Sequence, residues 1–198
     1  MGRIDSKVQG RVVRDEFLTT KGYIRRQAWT DVAAPANNAV HADITLPNSG
    51  TLDVTTAITN PDVARNVTIK GNHADSAGNV VITGTNIRDE AITETIALNG
   101  STEVQGNKAF KTVTNINVPA KVGSTGTLAR VGIGKKLGLD RKMREAAVID
   151  AYTDGVRETT AATVTYSSSA IESNTLSPNT DPDASKDFVA YFISGEIY

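Results

Sequence analysis

The chain has 198 residues, 39% of them hydrophobic and 5% aromatic, with a formal net charge of -1 and a pI of about 6.1. That balance suits one core built from Val, Ile, Leu and Ala, and it excludes a wholly disordered chain or a strongly basic nucleic-acid binder. There is no cysteine, which excludes a disulfide framework, a thiolate metal site and a cysteine nucleophile.

Residues 1–30 show no sustained alternation, yet apolar side chains recur at Ile4, Val8, Val12, Val13, Phe17, Leu18, Ile24 and Trp29, and Gly10 and Gly22 interrupt any long helix. The expectation is an extended N-terminal arm over residues 1–30 ahead of a domain over residues 31–198. No apolar run approaches the roughly 18 residues of a membrane-spanning helix, so no membrane partner is expected. The arm carries seven Lys/Arg against three Asp/Glu, whereas residues 145–198 carry two against nine. A basic arm meeting an acidic surface would orient association. The expected partner-binding residues are therefore Arg11, Arg14, Phe17, Arg25, Arg26 and Trp29, although Phe17 and Trp29 could each pack on the chain's own core instead.

Residues 31–47, rich in Ala, Asn and Pro, suggest a lead-in loop. Short strands follow at 51–59 (TLDVTTAIT), 65–70 (RNVTIK) and 79–85 (NVVITGT), separated by a turn at 60–62 and a polar loop over 71–78. Residues 89–98 place Ile92, Ile96 and Leu98 on one face with Glu94 among them, a conflict that either a bulge or an interface-facing carboxylate would resolve. The clearest strand is 110–118, ended by Pro119. Another covers 127–131, and Gly132-Ile-Gly134 suggests a basic reversal after it. Helix competes over 140–152, but Asp154-Gly155 between apolar runs is a strong hairpin signal, so strand is expected from Glu145. Residues 187–193 (DFVAYFI) suit a central strand buried on both faces. The expected fold is all-β, a β-sandwich or barrel-like domain carrying the arm.

None of the motifs defines chemistry. The Gly132–Lys136 stretch fails as a phosphate loop because Ala129 and Lys136 stand where Gly and Ser/Thr are required, and Leu137 replaces the third Gly of the dinucleotide pattern. Counted from Asp181, a calcium loop would need Gly at Lys186 and Glu at Phe192. The two histidines, His41 and His73, neighbour no patterned nucleophile and base. No enzymatic turnover, cofactor or metal is expected. Nucleic acid is not the expected partner either, the best patch being Arg25-Arg26 beside Tyr23 and Trp29. A carbohydrate module would need clustered exposed aromatics, and the chain has only five Tyr, four Phe and one Trp.

The phrases NPDVARN (60–66), VVITGT (80–85), ITETIALNG (92–100), GNKAFKTV (106–113) and VGIGKKLGL (131–139) together resemble a family of tailed-bacteriophage virion proteins, the capsid decoration (cement or auxiliary head) proteins. The resemblance implies a homo-oligomer, dimer or trimer, made in the host cytoplasm. Its place would be the outer surface of the icosahedral head, where it binds the major capsid protein and bridges neighbouring subunits. A tail, neck or fibre component fits the same residues as an alternative.

Overall fold

The computed structural model describes residues 23–196, and these form an all-β structure without an α-helix. No helix among them is long and apolar enough to cross a membrane. Fourteen strands make three antiparallel sheets. The first sheet runs β1 (Tyr23–Trp29), β14 (Phe188–Ser194), β10 (Met143–Thr153), β11 (Val156–Arg157). In the second, β12 (Thr163–Thr165), β13 (Thr175–Ser177), β9 (Leu128–Gly138), β4 (Arg65–Gly71) and β7 (Val104–Phe110) lie in order, and β2 (Ala36–Thr45) also pairs with β9. The third runs β3 (Leu52–Val54), β8 (Thr112–Val118), β5 (Ala77–Thr85), β6 (Ala91–Asn99).

Two apolar cores follow from the alternation of these strands. The larger fills the space between the second and third sheets, where Val67, Ile69, Val80, Ile82, Ile116 and Val131 are fully buried. The smaller lies under the first sheet and gathers Trp29, Leu137, Leu139, Met143, Phe188 and Phe192. Strand β9 serves both, with Val131 and Ile133 in one core and Leu137 in the other, which ties the two parts into one body. At the crossing, the fully buried Arg65 donates to the carbonyl of Gly134 (2.7 Å), the carbonyl of Ala33 (2.9 Å) and the carboxylate of Asp62 (3.0 Å). Burial pulls the pKa of this guanidinium down and Asp62 opposes that shift.

Several sequence expectations are corrected. The arm does not extend to residue 30: Tyr23–Trp29 pairs along β14 in continuous register, and Trp29, 6% exposed, packs on the chain's own core. Residues 36–45 are strand β2 rather than loop, held by β9 and burying Val40 and Ile44. Gly132 and Gly134 are not a reversal but the middle of β9. They are required by close approach, since a Cβ at Gly132 would lie 2.1 Å from the carbonyl of Ala36 and one at Gly134 2.4 Å from Asn66.

Strand is confirmed over the region where helix competed, and Asp154-Gly155 is a two-residue hairpin with positive φ at both residues (51° and 75°), the geometry of a type I′ turn. Strand β14 is central in its sheet, fully buried on one face and only half-buried on the other. Glu94 does share the inward face of β6, but neither expected resolution applies, because its carboxylate accepts the backbone N–H groups of Asn107 and Lys108 on β7.

Candidate functional site

The half-covered side of the first sheet is the surface whose composition departs most from a solvated face. Pairing of β1, β14 and β10 aligns Arg26, Tyr191 and Asp150 in one row across the sheet. The next row is Ala28, Val189 and Tyr152, with Arg157 of β11 beside Tyr152. On the other flank Ile24 pairs with Ile193. Ile24 is 61% exposed, and Ile149, in the bulge that shifts the β10 register, is 49% exposed. The face thus combines aromatic, aliphatic and arginine side chains, the types that carry interface energy.

Its polar groups form a definite pattern. Asp150 accepts Arg157 Nε at 2.5 Å and the hydroxyl of Tyr152 at 3.0 Å. The Arg157 hydrogen bond holds the Asp150 carboxyl below the usual carboxylate range, and the same bond raises Arg157. Hydrogen bonding to Asp150 likewise raises the Tyr152 phenol above its ordinary value. The rings of Tyr152 and Tyr191 meet edge to face with centroids 6.0 Å apart. Arg26 is exposed, and no hydrogen bond or ion pair engages its side chain among the described residues.

Of the six expected partner-binding residues, Arg11, Arg14 and Phe17 lie outside the described residues. The other three are separated by the strand. Arg25 points to the inner face and donates to Asp140 at 2.5 Å, Trp29 is buried, and Arg26 alone of these three stands on the open face. The strand therefore puts Arg25 and Arg26 on opposite faces and Trp29 in the core, so the residues named as the best candidate for a nucleic-acid patch do not come together. Sequence reasoning missed Tyr152, Tyr191 and Asp150. The period-2 spacing of Asp150 and Tyr152 was a usable signal, but their meeting with Tyr191 depends on a strand pairing some 40 residues away in sequence.

Other clusters are internally satisfied. A groove of about 310 Å³ beside β10 is lined by Asp150, Arg157 and Glu158, but Glu158 accepts Thr153 Oγ1 and the N–H groups of Asn179 and Thr180. In the acidic loop after β13, Asp181 meets Lys135, Asp183 meets Lys186 and Ser185, and Asp187 accepts the N–H of Asp31. No group of three or more potential metal ligands exists among the described residues. His73 lies with Asp75 and Thr125 on an exposed loop, but Nδ1 meets both, so the ring does not bridge a nucleophile to an orienting acid through its two nitrogens. No family model, curated protein or solved structure matches the chain.

Proposed function

We propose that this chain is a bacteriophage head decoration protein, which binds the outer surface of the icosahedral shell and holds neighbouring major capsid subunits together without catalytic turnover. The observation that carries this reading is the first sheet's open face, where Arg26, Tyr191, Tyr152 and Ile24 form a surface of interface chemistry on an antiparallel platform, as suits a structural protein that works by assembly and leaves contact with the head to other parts of the chain. The sequence resemblance supplies the assembly to which such a platform would belong. Its quoted phrases fall mainly on β4–β9, the strands that enclose the larger core. The basic segment ahead of β1, with Arg11, Arg14 and Phe17, is the part proposed to reach capsid subunits.

The test is co-sedimentation of the purified protein with undecorated phage heads, with tail tubes as the parallel arm. Saturable binding to heads that raises their resistance to heat-induced rupture is the expected result. Binding to tail tubes alone, or to neither particle, overturns the reading.

A further inference from the structure

The open face of the first sheet is complementary to itself. Across the sheet the order is cation, aromatic ring, carboxylate: Arg26 on β1, Tyr191 on the central β14, Asp150 on β10. Two strand spacings, about 10 Å, separate the cation from the carboxylate. A two-fold axis running parallel to β14 and lying above it exchanges the two flanks while keeping each row at its own height. Under that operation Arg26 of each copy comes to lie over Asp150 of the other, and Tyr191 meets its own equivalent at the axis.

The neighbouring row obeys the same rule. It places the small Ala28 over the large Tyr152, and Val189 over Val189, so bulk meets space as charge meets countercharge. The exposed Ile24 approaches the flank that carries the exposed Ile149. We propose that the occupant of this face is a second copy of the chain, packed sheet on sheet with the strands nearly aligned, as in a β-sandwich.

The pattern favours a copy over an unrelated acidic partner. Such a partner would satisfy Arg26 but gain nothing at Asp150, which Arg157 of the same chain already pairs, whereas the two-fold copy gives Arg26 a carboxylate and Asp150 a second cation. Asp150 keeps acceptor capacity for a further donor, since Arg157, Tyr152 and the backbone of Ala151 engage fewer than the roughly four lone-pair sites of a carboxylate. The three principal strands present a footprint of roughly 350 Å² per copy from their spacing and rise. That is less than half of the about 800 Å² per partner in a standard interface, so the pair is reversible and concentration dependent.

The pairing concerns the free protein, while the head reading says only where such pairs would be used, and the two are measured apart. Sedimentation velocity on the full chain is expected to show a shift with concentration from 21.0 kDa toward twice that mass. Arg26→Glu alone, which sets two carboxylates against each other, is expected to remain monomeric, as is Asp150→Lys alone, which opposes two cations. An equimolar mixture of the two variants restores both contacts and is expected to recover the dimer. The mixture also excludes misfolding as the reason for loss, because an unfolded variant could not be rescued by its counterpart. A wild-type chain that stays monomeric or forms a trimer, single variants that still dimerise, or a mixture that fails to pair would each overturn the proposal. A chain that dimerises in this way yet binds no heads leaves the pairing intact and sinks the head reading.

Discussion

The carboxylate of Glu94 on β6 accepts the backbone N–H of Asn107 on β7 at 2.6 Å, and its second oxygen accepts that of Lys108 at 3.2 Å. It joins an edge strand of the third sheet to an edge strand of the second, at the rim of the larger core. The sites are close enough that a Cβ on Gly106 would lie 2.7 Å from the Glu94 carboxylate. Replacing Glu94 by Leu removes both acceptors and leaves two N–H groups of β7 without their partner. Unfolding in urea should show a loss of about 1–3 kcal/mol, with Glu94→Gln losing less because one acceptor oxygen remains. An unchanged midpoint for Glu94→Leu would mean that water replaces the carboxylate at no cost.

The fold class was legible because most strands declare themselves locally. Residues 112–118 bury Ile116 and Val118 in alternation, with a register shift between Val113 and Asn115 that puts Val113 inside as well, and the Asp154-Gly155 turn announces its own hairpin. Legibility failed where the reason for strand structure is another strand. Strand β2 contains Ala, Asn and His, which have little preference for extended backbone, and it is strand because β9 supplies its partners. The glycines of β9 looked like punctuation because their cause, the backbone of β2 and the side chain of Asn66, is distant in sequence. The open face suffers in the same way: Arg26 was singled out for its charge, but its row with Tyr191 and Asp150 exists only after three remote strands have paired.

The hairpin between β10 and β11 offers a test of backbone strain with little packing in the way. Gly155 has φ of 75°, and a Cβ added there would meet nothing within 4 Å. Any cost of Gly155→Val is therefore conformational, because a β-branched residue resists positive φ. A loss of about 1 kcal/mol or more is expected, with Gly155→Asn costing distinctly less since Asn tolerates the left-handed region. Equal midpoints for Val and Asn variants in chemical denaturation would show that the turn changes type rather than bearing strain.

Acid destabilises the fold through the carboxylates that the fold has engaged, and it must reach their lowered pKa values to do so. The hydrogen bond from Lys186, aided by Ser185, lowers the Asp183 pKa to about 2. A depressed folded-state value stabilises the fold above the unfolded pKa of about 4, and that contribution disappears as pH falls through the folded value. The advantage of the wild type over Asp183→Asn in melting temperature should thus be constant above pH about 4 and vanish toward pH about 2. Since Asp183 is exposed, the effect is small, and the direct measurement is the carboxyl carbon shift in an NMR titration. A midpoint at the ordinary carboxylate value would remove the Lys186 contact from the solution structure.

Two truncations separate the basic N-terminal segment from the domain it precedes. Because β1 begins at Tyr23 and ends with the buried Trp29, deletion of residues 2–22 leaves every described strand in place, whereas deletion of residues 2–28 removes β1 up to Ala28 and leaves one edge of β14 unpaired. The shorter deletion is expected to keep the wild-type melting temperature and β-rich circular dichroism while weakening binding to undecorated heads severely, since Arg11, Arg14 and Phe17 go with it. The longer deletion is expected to lose stability on the scale of a large core truncation, about 3–5 kcal/mol, because Trp29 would no longer be held over Phe188 and the core beneath. Trp29→Ala in the full chain isolates that contribution from the loss of strand pairing and should fall within the same range. A 2–22 deletion that binds heads with unchanged affinity would move the docking element out of the N-terminal segment and onto the described residues. A 2–28 deletion that melts like the wild type would show that β1 is not needed to close the smaller core.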